Sequence, residues 1–401
     1  MAKRIPLFLL PALFLACDLP VPRELTGERV RAETALLYYA LPDEALEAHL
    51  TDTIDALLTY GDLPPGFEIL VLHDSEGAIT VSRRNSSGLT HSSAVEAGLP
   101  DLPLHNPQLL SHALDLAAEG LEAGALHLML PGRSSYADSL TLASSPEGEL
   151  DIGEIASAIG EARPESLGSL TLASSYGATM GVLYELRDLP ADLLAAPDRL
   201  ALAGSDPHRL IDALAGGSSV VAAVLDATEA SHVGIPGSGM GRYDLSRVAQ
   251  LAEELEALLV RLEGELEDAG ERLELREALL DLASDPGSEG PSFLLLGDLA
   301  RSLSARYPEL SDAAGELTDS LSRVRIGGWS ESEAAPEVAL YYVSLGSQGE
   351  PDHHAIAYLP EAFGPPKCDF VLSSSWPARL ESRRGILHSL WYDLLDEEAL
   401  P

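Results

Sequence analysis

Thr34-Ala35-Leu36-Leu37-Tyr38-Tyr39, followed by Pro42-Asp43-Glu44 and then by Leu46, Leu50, Ile54, Leu57 and Leu58, is the stretch on which the fold turns. The run from Ala35 to Tyr39 has no polar alternation, which reads as a strand buried on both faces. The acidic turn and the three- and four-residue apolar spacing after it predict a helix through about Tyr60. Gly61 and Pro64-Pro65-Gly66 end that helix. The same unit recurs downstream. Phe67–Leu72 is a second buried strand, and Ala78–Val81 alternates as in a small hairpin. Asn106 caps a helix that begins at Pro107 and runs to about Glu122. Leu126–Leu130 is a third strand, stopped by Pro131-Gly132. A helix over Asp151–Ala162, a fourth strand over Leu167–Ala173, a helix over Tyr176–Leu186 and a candidate fifth strand over Leu200–Ala203 complete the series. Residues 85–106 and 132–149 are rich in polar and turn-forming types and read as loops. Buried strands alternating with helices predict a mostly parallel sheet with helices on both faces.

Beyond residue 205 the character changes. Gly237-Ser238-Gly239-Met240-Gly241 reads as a flexible loop. Residues 243–282 keep a helical period through Leu245, Val248, Leu251, Leu255, Leu258, Leu259 and Leu262. Another helix is expected over about 309–324, and Val338–Leu345 and Ala355–Leu359 read as paired strands. The expected organisation is an α/β domain over 34–205 and a helical and α+β C-terminal region over 206–401.

The chain has 401 residues, of which 46% are hydrophobic, so a large core is available. Its 64 acidic residues outnumber 25 basic ones, for a net charge of −39. A surface this negative repels phosphate backbones, which sets nucleic acid aside as a partner. Residues 1–17 look like an export signal: Lys3 and Arg4, then an apolar run from Ile5 to Ala16 that is too short to span a bilayer. Ala16-Cys17 at the end of that run resembles a bacterial lipoprotein cleavage box, and Phe14 stands where an aliphatic residue is usual. The alternative is a plain secretory signal with an incidental cysteine. Acylated Cys17 would hold the chain to a membrane of the bacterial cell envelope, inner or outer, with residues 18–33 as a tether. Cys368 is then the one cysteine left, so no internal disulfide forms.

Searches for single motifs return little. There is no H-E-x-x-H, no phosphate-binding lysine loop and no G-x-S-x-G. Asp352-His353-His354 places two imidazoles on opposite faces of a strand, a poor arrangement for sharing one ion. No metal site and no cofactor are expected.

Order and spacing carry more. Ala35–Glu47, the strand Ile69-Leu70-Val71-Leu72-His73-Asp74, Gly132, the helix at Leu150–Ile155 and Leu183-Tyr184-Glu185-Leu186 occur in sequence. After them come Ser205-Asp206-Pro207-His208, Tyr243-Asp244-Leu245-Ser246, Leu296-Gly297-Asp298-Leu299 and His354–Pro360. Taken together, and over nearly the whole exported length, this order resembles the clostripain family of cysteine peptidases. The resemblance implies a caspase-like three-layer α/β/α sandwich with a mostly parallel sheet. It also implies a catalytic His after the third strand, a nucleophilic Cys ending the fourth, and an Asp two residues before that Cys to attract a basic substrate side chain.

At the matched positions this chain has Pro131, Ser175 and Ala173. Proline transfers no proton, a serine without a base stays protonated, and alanine attracts no cation. A one-residue shift in the match moves the nucleophile position to Ser174, which restores neither thiol nor imidazole. His127 lies four residues before Pro131, too far back along the strand to serve. The resemblance therefore implies an inactive peptidase that binds a peptide or protein, or scaffolds one. The rival expectations are a hydrolase that uses Ser175 or an unrecognised base, and an acidic binding protein that shares only the sandwich pattern.

Overall fold

The computed structural model describes residues 32–342, apart from 42–45, 76, 133–140, 146–147, 163–166, 176, 190, 198–199, 201–204, 236–237, 332–337 and most of 267–291. The decisive stretch forms β1 (Ala32–Ala40). Ala35, Leu37 and Tyr39 pack into one hydrophobic cluster and Leu36, Tyr38 and Ala40 into another, and none of the six is more than 3% exposed. Burying each of the larger side chains contributes roughly 1.5–3 kcal/mol, and covering both faces requires helices above and below the sheet.

Further strands are β2 (Phe67–Ser75), β3 (Ala78–Asn85), β4 (Gly88–Ser93), β5 (Leu121–Pro131), β6 (Thr141–Ser145), β7 (Gly148–Asp151), β8 (Leu167–Ala173) and β9 (Asp192–Ala195). After them come β10 (Gly239–Asp244), β11 (Ser292–Leu295), β12 (Arg325–Ser330) and β13 (Ala339–Tyr342). Nine of these make one sheet in the order β12-β10-β9-β8-β5-β1-β2-β3-β4. The five central strands, β9 to β2, are parallel, and the strands added at either side are antiparallel. The sheet is thus mostly parallel at its core, and the fold is the α/β sandwich expected from the sequence.

The helices are α1 (Glu47–Thr59), α2 (Pro107–Ala118), α3 (Ile152–Ala162), α4 (Met180–Leu186), α5 (Pro207–Ala215), α6 (Val220–His232), α7 (Val248–Glu265), α8 (Leu296–Arg306) and α9 (Ser311–Val324). Residues of α2, α3, α4, α7, α8 and α9 share a cluster with Leu37, Leu128 and Leu170, whereas α1, α5 and α6 share one with Tyr38, Val71 and Met129. These are the two outer layers. Asn106 caps α2 by accepting from the Gln108 backbone N–H at 2.9 Å, as the sequence suggested. Arg84, 7% exposed, donates to the carbonyls of Leu57 (2.7 Å) and Tyr60 (2.8 Å). A cation there completes the C-terminal end of α1 and ties it to β3.

Several sequence expectations need correction. Residues 88–93 are an edge strand, not loop, and Thr141–Asp151 contains the β6–β7 hairpin. β4 is exposed along most of its length, so it lacks the apolar alternation that marks a half-buried strand. The fifth parallel strand is Asp192–Ala195; Leu200 is irregular, and residues 201–203 lie outside the described set. The glycine-rich stretch enters β10 from Gly239. A Cβ on Gly241 would sit 2.3 Å from the Tyr243 ring, so glycine serves close packing here rather than flexibility. The strand at 339–342 pairs with β11, while 355–359 lies outside the described residues. β10 and β12 join the same sheet as β1–β5, β8 and β9.

Candidate active-site cleft

In a parallel sheet the C-terminal strand ends lie on one edge, and ligands gather there. Here β1, β5 and β8 are neighbours, with Tyr38 opposite Met129, Met129 opposite Thr171 and Pro131 opposite Ala173. Pro131 has no N–H to continue the ladder, which suits the last residue of its strand. Beyond this edge opens a cleft of about 40 Å³. At roughly 10–15 Å³ per water-sized group it holds about three.

The cleft brings the matched positions together. Pro131, Gly132, Ala173, Ser174 and Ser175 all line it. Opposite them stand Leu46, His49, Leu50 and Thr53, with Tyr38 and Met129 also contributing, and Leu200 and Ser205 complete the lining. Thirteen described residues line it, and none is Asp, Glu, Arg or Lys, although 22% of the chain is charged.

The polar groups have distinct partners. The Ser175 hydroxyl donates to the Leu200 carbonyl oxygen (3.2 Å) and accepts from the Leu200 N–H (2.9 Å). Ser205 shares a 2.6 Å hydrogen bond with Thr228 of α6. Ser174 is 3% exposed, and its Oγ has no hydrogen-bond partner among the described residues. His49 Nε2 lies 3.5 Å from Thr53 Oγ1, at the outer limit of a hydrogen bond. Burial lowers the His49 pKa below the usual imidazole value, an effect partly offset by Asp52, so its neutral form dominates at neutral pH. Burial raises the Tyr38 phenol, which hydrogen-bonds Thr53.

His127 does not line the cleft. Its Nδ1 is 2.7 Å from Ser169 Oγ, its partner across β5 and β8, and desolvation lowers its pKa to about 4. Cys17 and Cys368 lie outside the described residues. His49 is the residue that sequence reasoning passed over. Its signal was a polar side chain flanking the Leu46 and Leu50 stripe of α1, the face that packs over the strand ends.

Chemically, the cleft offers the hydroxyls of Tyr38, Thr53, Ser174, Ser175 and Ser205 and one neutral imidazole among apolar walls. Among the described residues it has no thiol and no carboxylate.

The sequence matches no protein-family model and no curated protein. Solved structures do resemble it. An inactive zymogen C11 protease from Parabacteroides distasonis superposes with a TM-score of 0.59 at 11% identity, covering 78% of this chain and 92% of that one. A secreted C11 cysteine protease from Bacteroides thetaiotaomicron, in complex with an irreversible peptide inhibitor, gives 0.55 at 13% identity over 79% and 94%. Another structure of a secreted C11 cysteine protease from the same organism gives 0.56 at 12% over 78% and 94%. The chain therefore has the caspase-like fold of the C11, or clostripain-family, cysteine proteases.

Proposed function

We propose that this protein is an exported, lipid-anchored, clostripain-like protein that has lost peptide-bond cleavage and uses its cleft to bind a peptide or protein segment. Pro131, Ser175 and Ala173 stand, in this reading, where the family has its His, Cys and specificity Asp. The observation that carries it is the register pair Pro131–Ala173 at the mouth of the cleft. Two strand ends that would present a base and an acid present neither, and Ser175 spends its hydroxyl on Leu200. Cysteine-peptidase catalysis needs a thiolate and a positioned base together, and losing either removes several orders of magnitude of rate. The anchor is proposed from Cys17 at the end of the export signal. No described helix is long and apolar enough to cross a membrane. A fluorogenic arginyl peptide tests the loss of cleavage: wild type should not turn it over.

A second reading is hydrolysis by a cleft serine. One observation favours it: a neutral imidazole, His49, shares the cleft with the Ser174 hydroxyl, which has no partner among the described residues. Turnover of that peptide, abolished by Ser174→Ala or Ser175→Ala, would establish the second reading and overturn the first.

A further inference from the structure

Resting on the lipid-anchored binding reading above, we propose that the cleft opens away from the membrane, so that its ligand is a polypeptide segment presented from the aqueous phase. The direction of β1 carries this. The strand enters the sheet at Ala32 and ends at Ala40. Ala32 stands opposite Leu121, the first residue of β5, and its N–H donates to the Gly120 carbonyl at 3.1 Å. The N–H groups of Glu33 and Thr34 both donate to the carbonyl of Gly66, just before β2. These residues mark the N-terminal edge of the parallel strands. The cleft lies at the other end of the same strands, where Tyr38, Met129, Pro131 and Ala173 line it. From Ala32 to Ala40 the chain climbs about 26 Å, at roughly 3.3 Å per residue. A lipid on Cys17 therefore holds the fold by the edge opposite the cleft.

The length of the tether limits the alternatives. Residues 18–31 reach at most about 50 Å, at roughly 3.3–3.6 Å each. With the N-terminal edge toward the lipid, little of that reach is needed. With the cleft on the bilayer, the tether has to climb the full height of the sheet, which takes up more than half of it. A chain held that far out loses much of its conformational freedom, which disfavours this orientation. Charge supplies no opposing pull, because a net charge of −39 is repelled by an anionic lipid surface. A segment lying in the bilayer is then out of reach of the cleft, whereas a polypeptide in water arrives on its open side.

The test adds the mature full chain, purified in detergent from producing cells, to preformed vesicles of phosphatidylethanolamine and phosphatidylglycerol with an acceptor dye on the headgroup. Cys368→Ser leaves a single thiol for labelling in each variant. Ser75→Cys and Ser86→Cys carry the donor dye at exposed residues beyond the two ends of β3, Ser75 on the cleft edge and Ser86 on the tether edge. Neither lines the cleft. Energy transfer should place Ser86 about 20 Å nearer the lipid than Ser75, which is close to the length of β3. Exposed Val95 and Pro65, on the cleft and tether edges, give a second pair, Val95→Cys and Pro65→Cys, should either serine variant fail to fold. A maleimide bearing a long polyethylene glycol chain should modify Ser75→Cys as fast on vesicles as in detergent, and Ser86→Cys several-fold more slowly on vesicles. Equal transfer from the two edges, stronger transfer from Ser75, or a slowed reaction at Ser75 would overturn the proposal. Wild-type chain that does not float with the vesicles would instead overturn the anchor on which it rests.

Discussion

The Ser175 hydroxyl brackets Leu200, accepting from its N–H at 2.9 Å and donating to its carbonyl at 3.2 Å, while the adjoining Ser174 hydroxyl is buried without a partner among the described residues. Two consecutive serines thus have opposite energetic standing. Ser175→Ala strands two backbone groups of Leu200 and should cost about 1–2 kcal/mol. Ser174→Ala removes a polar atom that has no partner among the described residues, so its effect should stay within about 0.5 kcal/mol. Urea unfolding midpoints of the two variants, read against wild type, decide this. Equal losses would show that Ser174 has a structural bond of its own.

Restoring chemistry should require several residues at once. Pro131→His, Ala173→Asp and Ser175→Cys should each leave the protein inert toward an arginyl peptide, because a thiol without its base is not a catalytic unit. The triple variant should recover a trace of turnover and become susceptible to thiol-directed covalent inhibitors. Activity in any single variant would mean that a base outside these positions already serves the cleft.

Acid should expose the buried imidazole of His127. Desolvation lowers its pKa to about 4, below the ordinary value of 6.5. The folded state therefore favours the neutral ring. The stability this contributes is fully present above pH 6.5, declines as pH falls from 6.5 to about 4, and is gone below that. The expected loss is about 3 kcal/mol between pH 7 and pH 4. His127→Gln, which keeps a polar atom for Ser169, should flatten this part of the pH–stability curve. An acid limb of the same slope in the variant would assign the loss to carboxylates instead.

The proposed anchor has a direct readout. Cells producing wild-type protein should yield a mature chain that begins at acylated Cys17 and partitions into detergent. Cys17→Ser should move it to the aqueous fraction. An unmodified thiol at residue 17 in water-soluble wild-type protein would remove the lipid from the reading and leave a plain secretory signal.

The sequence announced the centre of the fold more clearly than its margins. β1 and β2 carry continuous apolar runs, and β5 and β8 are mostly apolar, because helices cover both their faces, and such stretches stand out in any reading. The edge strands β4 and β12 have solvent on at least part of their surface and carry Gly, Ser and Arg, so their pattern merges with that of loops. β10 hid behind glycines that exist to admit the Tyr243 ring and the backbone of Trp329. Pro131, Ala173 and Ser175 were singled out through the family resemblance and its spacing to Tyr184-Glu185-Leu186, and all three line the cleft. His49 could not be, because its relation to them is made by the packing of α1 over the sheet, and no spacing along the chain encodes that.

The position of β1 in the middle of the sheet has a consequence for biosynthesis. The first described strand is flanked by β2 and β5, and β5 arrives only after β3, β4 and α2 have been made. On the other side the sheet is finished last, when β12 joins β10 from the far end of the described chain. Pairings this distant in sequence form slowly, and apolar strand edges stay open meanwhile. A chain ending at Val324 would keep every parallel pairing yet leave the Gly239–Asp244 edge bare, a template for a second copy. The thirteen described residues that line the cleft all precede that last strand, so the lining is made before β10 gains its second partner.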